Sequence, residues 1–408
     1  MSHFKHTPTG RALATDLVHG ETVDASGYAS LGTPEYRGSS LFFPDTASQR
    51  APVDALGLDY SYGLHGNPTR YTLCQRLAHI EGADYAMVCG SGLAAITLVA
   101  YGCLKQGDHW LIPDNVYNPV HDIALQMKER MGVDYTVYNM MDVADLESKI
   151  RPNTRLLWTE SPGSLTYEVP DLRALVAVAK KHGVLTGIDN TWSAGIGLKP
   201  FELGLDYSIQ ALTKYQAGHA DVLMGAVLCK SRELFEQVHH INRVWGFSVS
   251  PSDCSLVLRS LLTLPARYAH QSRQALNIAK ALAGFDVIER VLHPALPSCP
   301  GHAFYQRDFT ACASVFTVVL KPHYTDAQAC AIVDGLNLFR IAYSWGGPES
   351  LALVVNLPRA RRERLDRTLY PDEPSRQCGP LLRFAIGQED EQDLLADLQQ
   401  AFDKALNA

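Results

Sequence analysis

No run in this chain approaches the ~18 consecutive apolar residues that a membrane-spanning helix needs. The opening residues Met1-Ser2-His3-Phe4-Lys5-His6 lack the apolar core of a secretory leader. Positive charge is scarce too: 36 Lys and Arg stand against 43 Asp and Glu, a formal net charge of −7, and no basic run stands out. That balance argues against nucleic acid or an anionic membrane as partner. Among nine cysteines there is no Cys-x-x-Cys pair. Several lie within apolar runs, such as Met87-Val88-Cys89 and Val227-Leu228-Cys229. They read as small buried hydrophobes in a reducing cytoplasm, not as disulfides or zinc ligands. The 15 histidines show no ligand spacing, so no metal is expected. Internal repeats, low-complexity segments, a Walker A loop and a complete dinucleotide-binding fingerprint are all absent.

What is present is a chain of 408 residues, 46% hydrophobic, too long for one ordinary core. Residues 1–65 are rich in Gly, Ser, Thr and Pro with little periodicity, and read as an extended arm that makes subunit contacts. Over 66–262 strand-like and helix-like runs alternate, which predicts a mainly parallel, doubly wound α/β sheet. From 263 to 408 the texture changes to a smaller α+β domain. A helix is expected over 266–285, then strands at 314–320 and 382–386 with helices between and after.

The most informative run is Ser208-Ile209-Gln210-Ala211-Leu212-Thr213-Lys214-Tyr215. An apolar strand ends in one lysine just after a hydroxyl residue. One βα unit earlier, Leu185-Thr186-Gly187-Ile188 ends in Asp189-Asn190-Thr191-Trp192. One ammonium and one carboxylate thus sit at the ends of two successive strands, and in an open α/β sheet those ends face the ligand crevice. A lysine there can form a Schiff base with a carbonyl cofactor, and an aspartate there can hold a pyridine nitrogen protonated. Pyridoxal phosphate requires that pair of its protein. Cys89-Gly90-Ser91-Gly92-Leu93 follows a strand and opens a helix, where backbone N–H groups suit a phosphate. Tyr117 follows another short strand and is placed to stack on a flat ring. Arg383 stands inside an apolar strand, where a guanidinium is costly unless paired. A substrate carboxylate held bidentately would satisfy it.

These residues belong to an ordered series. Tyr62-Gly63 with Gly66-Asn67-Pro68-Thr69, Ser91-Gly92-Leu93-Ala94-Ala95, Glu160-Ser161-Pro162-Gly163-Ser164, Asp189-Asn190-Thr191-Trp192, Thr213-Lys214-Tyr215 and Ala342-Tyr343-Ser344-Trp345-Gly346-Gly347 occur in that order. The series resembles the pyridoxal-phosphate-dependent enzymes of cysteine and methionine metabolism (trans-sulfuration), and within them the bacterial cystathionine β-lyases. The resemblance implies the aspartate-aminotransferase-like fold, fold type I, and a cytoplasmic homo-oligomer, a tetramer with sites shared between subunits. It implies a small amino-acid substrate and a carbon–sulfur β-lyase activity.

It also implies roles residue by residue. Lys214 would carry the cofactor and move protons, Asp189 would face the pyridine nitrogen, and Tyr117 would stack on the ring. Ser91, Gly92, Leu93 and Thr213 would hold the phosphate. Tyr62 would reach the phosphate of a neighbouring subunit and, with Lys214 and Tyr117, belong to the catalytic set. Arg383 would take the substrate α-carboxylate, Ser344 would orient the lysine, and Trp345 would line the substrate pocket. The chain departs from the wider family at three positions. Leu64 stands where an arginine is frequent, so phosphate charge falls to His65 or Arg70. Ala211 replaces a serine donor. Ser161 replaces an asparagine of the γ-acting relatives (cystathionine γ-lyase, γ-synthase, methionine γ-lyase), which fits β-elimination and leaves the γ reading as the alternative.

Overall fold

A computed structural model describes residues 10–19, 32–51, 60–373 and 375–406. Of the arm expected over 1–65, residues 1–9, 20–31 and 52–59 lie outside the described ones. Seven strands build the first sheet: β1 (Tyr85–Cys89), β2 (His109–Pro113), β3 (Asp134–Tyr138), β4 (Thr154–Glu160), β5 (Leu185–Asp189), β6 (Tyr207–Ala211) and β7 (Gly225–Cys229). Their order is β1-β7-β6-β5-β4-β2-β3. The pairs from β6 through β3 are parallel, and β7 alone runs against its neighbours β1 and β6. Central strands of such a sheet are covered on both faces and so read as apolar runs rather than alternating ones. Every residue of β2 and of β7 is buried.

Helix boundaries follow from local chemistry. Ser91 accepts the Ala94 N–H and starts the helix Gly92–Cys103. Asp171 accepts the Ala174 N–H ahead of Leu172–Lys181, and Gly183 beyond its end has φ +65°. Such caps satisfy N–H groups that no turn of the helix reaches. Asn67 caps Pro68–Glu81 with a proline in the first turn, where the missing N–H costs nothing.

A second sheet holds β8 (Ile288–Leu292), β9 (Val315–Leu320), β10 (Arg340–Ile341), β11 (Leu351–Val355) and β12 (Leu381–Ala385), in the order β10-β11-β12-β9-β8. The expected strands at 314–320 and 382–386 are β9 and β12. The interval between them, read as helical, contains β10 and β11 as well as two helices. β10 is a two-residue, fully exposed edge strand, too short for any pattern to register.

The two sheets are not independent cores. Leu77, Val88, Ile188 and Leu212 pack in one cluster with Val315, Val319 and Leu381. The helix Leu264–Leu282 contributes Tyr268, whose ring meets Tyr215 edge-on with centroids 5.0 Å apart. The carboxyl ends of β4, β5 and β6 open toward this seam. Among the described residues no helix is long and apolar enough to cross a membrane.

Gly187 in β5 is required by packing. A Cβ there would lie 2.7 Å from Cε3 and Cζ3 of Trp158, an indole with no exposed surface. Gly187→Ala forces a displacement in a filled core, and overpacking of this kind costs about 1–3 kcal/mol. Thermal unfolding should show a lower Tm for Gly187→Ala, whereas Gly183→Ala, with nothing within 4 Å, should lose only what its positive φ costs.

Candidate active site

The carboxyl ends of β4, β5 and β6, the turn before Gly92–Cys103 and two loops of the second sheet enclose a cavity of about 350 Å³. That is within the range of small-molecule sites. Its lining includes Ser91, Gly92, Leu93, Tyr117, Asp189, Thr213, Lys214, Trp345 and Arg383. Nine of the residues singled out in the sequence thus converge on one space. Ser344 does not line it but touches it through Lys214. Tyr62 lies elsewhere, on an open depression with Arg37, Leu64, Asn67 and Ser248.

Lys214 follows β6 by three residues. Its Nζ donates to Ser344 Oγ at 2.7 Å and sits 4.6 Å from the centre of the Trp345 ring. Burial, and then the nearby Arg383 charge, bring its ammonium down to about 8 despite Asp189. A lysine so placed gives up its proton more readily near neutral pH than an ordinary lysine, which suits a nucleophile or a base. Ser344 has φ +88°, rare for a residue with a Cβ. Gly346 beside it has φ +77°, and a Cβ there would stand 3.1 Å from the Lys214 carbonyl carbon. The loop therefore lies flat against the lysine's own backbone. Tyr215 anchors the other flank, its hydroxyl 2.9 Å from Ser314 Oγ and accepting the Ser314 N–H at 2.9 Å.

Two carboxylates meet on adjacent strands, since Glu160 is the register partner of Asp189. Asp189 accepts the Thr191 N–H at 3.0 Å. Burial raises both carboxyls; Asp189 is eased by its hydrogen bonds and by Lys214, while Glu160 is pushed further up by Asp189. Asp189 therefore ionises before Glu160. Glu160 was not singled out as a functional residue in the sequence. Its Oε2 accepts the Tyr117 N–H at 2.6 Å, so it fixes the loop that carries that ring. Arg361 was missed as well: its guanidinium donates to the Asn115 carbonyl at 3.3 Å and to the Ser164 carbonyl, holding two cavity loops together. Within Arg359-Ala360-Arg361-Arg362-Glu363-Arg364 it reads as one charge of a solvated helix face, and nothing in the pattern sets it apart.

At the far end of the cavity the first-turn N–H groups of Gly92 and Leu93 have no partner within their helix. A Cβ on Gly92 would stand 2.6 Å from the Ala211 methyl, so the glycine permits the close approach of turn and strand. Thr213 Oγ1 accepts the Met224 N–H at 3.1 Å. Arg383 is 4% exposed. It donates to the Ser344 carbonyl at 3.1 Å, and its Nε has no hydrogen-bond partner among the described residues. No carboxylate pairs with it among those residues either, so a structural ion pair does not account for its burial. The Trp345 indole N–H is buried and unpartnered in the same sense. Ser161 Oγ is likewise buried without a partner, next to the lining rather than in it. Arg70, one of the two residues expected to replace the charge missing at Leu64, is 4% exposed and donates to the Leu64 carbonyl at 3.1 Å.

An anion cradle, a buried carboxylate, an amine of lowered proton affinity and an unpaired guanidinium fit pyridoxal phosphate and an amino acid together. Residues 14–403 match the sequence model of the Cys/Met metabolism PLP-dependent enzymes. The chain belongs to that family. A putative cystathionine β-lyase of Rhizobium johnstonii is 38% identical over 395 residues, 96% of either chain. Cystathionine β-lyase MetC of Escherichia coli is 33% identical over 395 residues, 96% of this chain and 98% of that one. Among solved structures, cystathionine γ-synthase from Xanthomonas oryzae pv. oryzae, in complex with aminoacrylate and cysteine, superposes with a TM-score of 0.85. It is 29% identical and covers 97% of this chain and 98% of its own. The protein is therefore a pyridoxal-phosphate-dependent enzyme of fold type I acting on a small amino acid.

Cofactor-free protein offers a test of the lysine's environment. Lys214 has its proton affinity lowered by folding, so the unfolded chain binds more protons than the native one between pH 8 and 10.5. Stability from this group then rises with pH across that window, and the cost of its buried charge is fully present below it. Lys214→Met should be more stable than the parent at pH 7 by on the order of 1–3 kcal/mol. The advantage should shrink toward pH 10.5, measured by urea unfolding at several pH values. A pH-independent difference would contradict the assignment.

Proposed function

We propose that this enzyme is a carbon–sulfur β-lyase. It cleaves the Cβ–S bond of cystathionine or a related S-substituted cysteine and, with one water consumed, releases a thiol, pyruvate and ammonia. The observation that carries the reading is the convergence on one cavity of Lys214, Asp189, Tyr117 and an unpaired Arg383, with the Trp345 indole packed on the lysine. Pyridoxal phosphate, when bound there, supplies the electron sink that makes the substrate Cα–H acidic. Lys214 would hold it and, once released, take the Cα proton; its lowered proton affinity suits that task. The thiolate then leaves Cβ with the electron pair of the C–S bond. Ser344 orients Nζ through their hydrogen bond. Asp189 would sit against the ring nitrogen, and Tyr117, fixed by Glu160, on the ring face. Ser91, Gly92, Leu93 and Thr213 would cradle the phosphate.

Arg383 would take the substrate α-carboxylate, which supplies the partner its guanidinium lacks. Arg383→Ala should raise KM strongly, since losing a desolvated charge-assisted pair costs about 2–5 kcal/mol. Arg383→Lys should recover only part, because an ammonium has no planar fork. Steady-state kinetics showing the same KM for Arg, Lys and Ala at 383 would assign the residue to structure alone.

The bulk of Trp345 favours β over γ cleavage. It confines the distal chain so that Cβ–S is held aligned with the cofactor ring, and orientation of this kind is worth several-fold to many-fold in rate. Mass spectrometry of the keto acid formed from cystathionine should show pyruvate. Predominant 2-oxobutanoate would replace the β assignment with the γ one.

The arrangement of Tyr62 supports an assembly of at least two chains, proposed here as a tetramer, since this tyrosine lies outside its own chain's cavity. Nine free cysteines accord with a cytoplasmic setting.

A further inference from the structure

The cavity has a charge deficit at one end. Among the described residues Lys214 and Arg383 are the cations of its lining, and both hydrogen-bond to Ser344. Around Ser91, Gly92, Ala211 and Thr213 there are hydroxyls, N–H groups and a methyl, and no further cation lines the cavity among the described residues. A phosphate monoester brings about −1.5 to −2 charges near neutral pH. Neutral donors at a helix start offset part of such a charge and leave the rest unmatched.

Elsewhere the same chain has the opposite imbalance. His65, 6.0 Å from the Tyr62 ring centre, is disfavoured from protonating first by burial and then by the charges of Arg243 and Arg70. The same two arginines bear on His239. Among the described residues no carboxylate is among the main charges acting on either histidine. Arg70 is buried against the Leu64 carbonyl. Arg243 is half-buried, and no hydrogen bond or ion pair engages its side chain among the described residues. It is the penultimate residue of the helix Arg232–Val244, beside Val244 and Trp245, which are 65% and 41% exposed. In a chain of net charge −7 a cationic cluster that no described carboxylate pairs with, set beside an apolar rim, suits an anion and a partner. Neither Arg243 nor His65 lines the cavity of its own chain.

The two imbalances are complementary between copies. We propose that Arg243, with His65 beside it, is the charge partner for the cofactor phosphate held by a second copy of this chain, in place of the arginine that Leu64 does not supply. The proposal rests on the pyridoxal phosphate reading and on Tyr62 serving a neighbouring site. It adds which residues of this chain carry the positive charge there.

The test compares two ligands that differ only in the phosphate. Full-length protein stripped of cofactor is titrated with pyridoxal phosphate and with pyridoxal. Arg243→Ala should raise the dissociation constant for pyridoxal phosphate about 10-fold or more and leave that for pyridoxal unchanged. Arg243→Lys should restore most of the loss, which separates missing charge from misfolding. Equal weakening of both ligands, or of neither, overturns the proposal. Parent protein that takes up no pyridoxal phosphate would instead overturn the functional reading beneath it. The source of the arginine is settled by hybrids of Arg243→Ala and Lys214→Ala chains. At limiting pyridoxal phosphate, borohydride-fixed label on the Arg243→Ala chain should exceed that in its homo-oligomer, because the other chain supplies Arg243. Equal labelling would place the arginine in its own subunit's site and refute the proposal.

Discussion

One buried amine organises this molecule. Lys214 emerges from the first sheet, yet its hydrogen-bond partner Ser344, the ring above it and the guanidinium that weakens its charge all come from the second. An ammonium at such a seam is costly unless something else uses it. The surroundings lower its proton affinity instead of neutralising it with a close carboxylate, so they tolerate an unstable charge and leave an amine that gives up its proton readily. Tyr215, tied to Ser314 at the start of β9, fixes the lysine's backbone to the second sheet. The position of one reactive nitrogen thus depends on how two sheets sit against each other, and the shared cluster of Ile188, Leu212, Val315 and Leu381 keeps them there.

The parallel sheet was legible because its strands are buried on both faces and end in chemistry-bearing residues. The alternation of apolar runs with capped helices, and the placement of Asp189 and Lys214 one unit apart, follow from local rules that each residue obeys where it stands. The second sheet was harder. β8 carries Glu289 and Arg290 inside an otherwise apolar strand, and β10 is two exposed residues on an edge. Such strands exist because neighbours pair with them, and pairing is not written in the strand itself.

The same division holds within the site. Residues proposed to meet a ligand directly stood out by type and place: a lone lysine after a strand, an arginine where apolar residues belong. Residues that act on other residues did not. Glu160 sits in a motif that drew notice, but its role depends on the Tyr117 N–H approaching it from another loop. Arg361 reaches the Asn115 and Ser164 carbonyls from a helix distant in sequence. Tyr62 was recognised by resemblance, which already assigned it to a neighbouring subunit's site, and it lies outside its own chain's cavity. Arg70 illustrates the converse: its charge was countable in the sequence, but its side chain turns inward to a carbonyl.

The cysteines carry a consequence of their own. Seven are buried, and burial pushes thiols such as Cys89, Cys103 and Cys254 up to about 12, far from the thiolate form that alkylating and oxidising reagents attack. Cys330 is exposed, on the helix Asp326–Asp334 beside the second sheet. Toward a maleimide or a disulfide exchanger, a chain of nine sulfhydryls therefore behaves as a chain of one. A dye or spin label placed there without mutagenesis reports on the second sheet from outside the seam between the sheets.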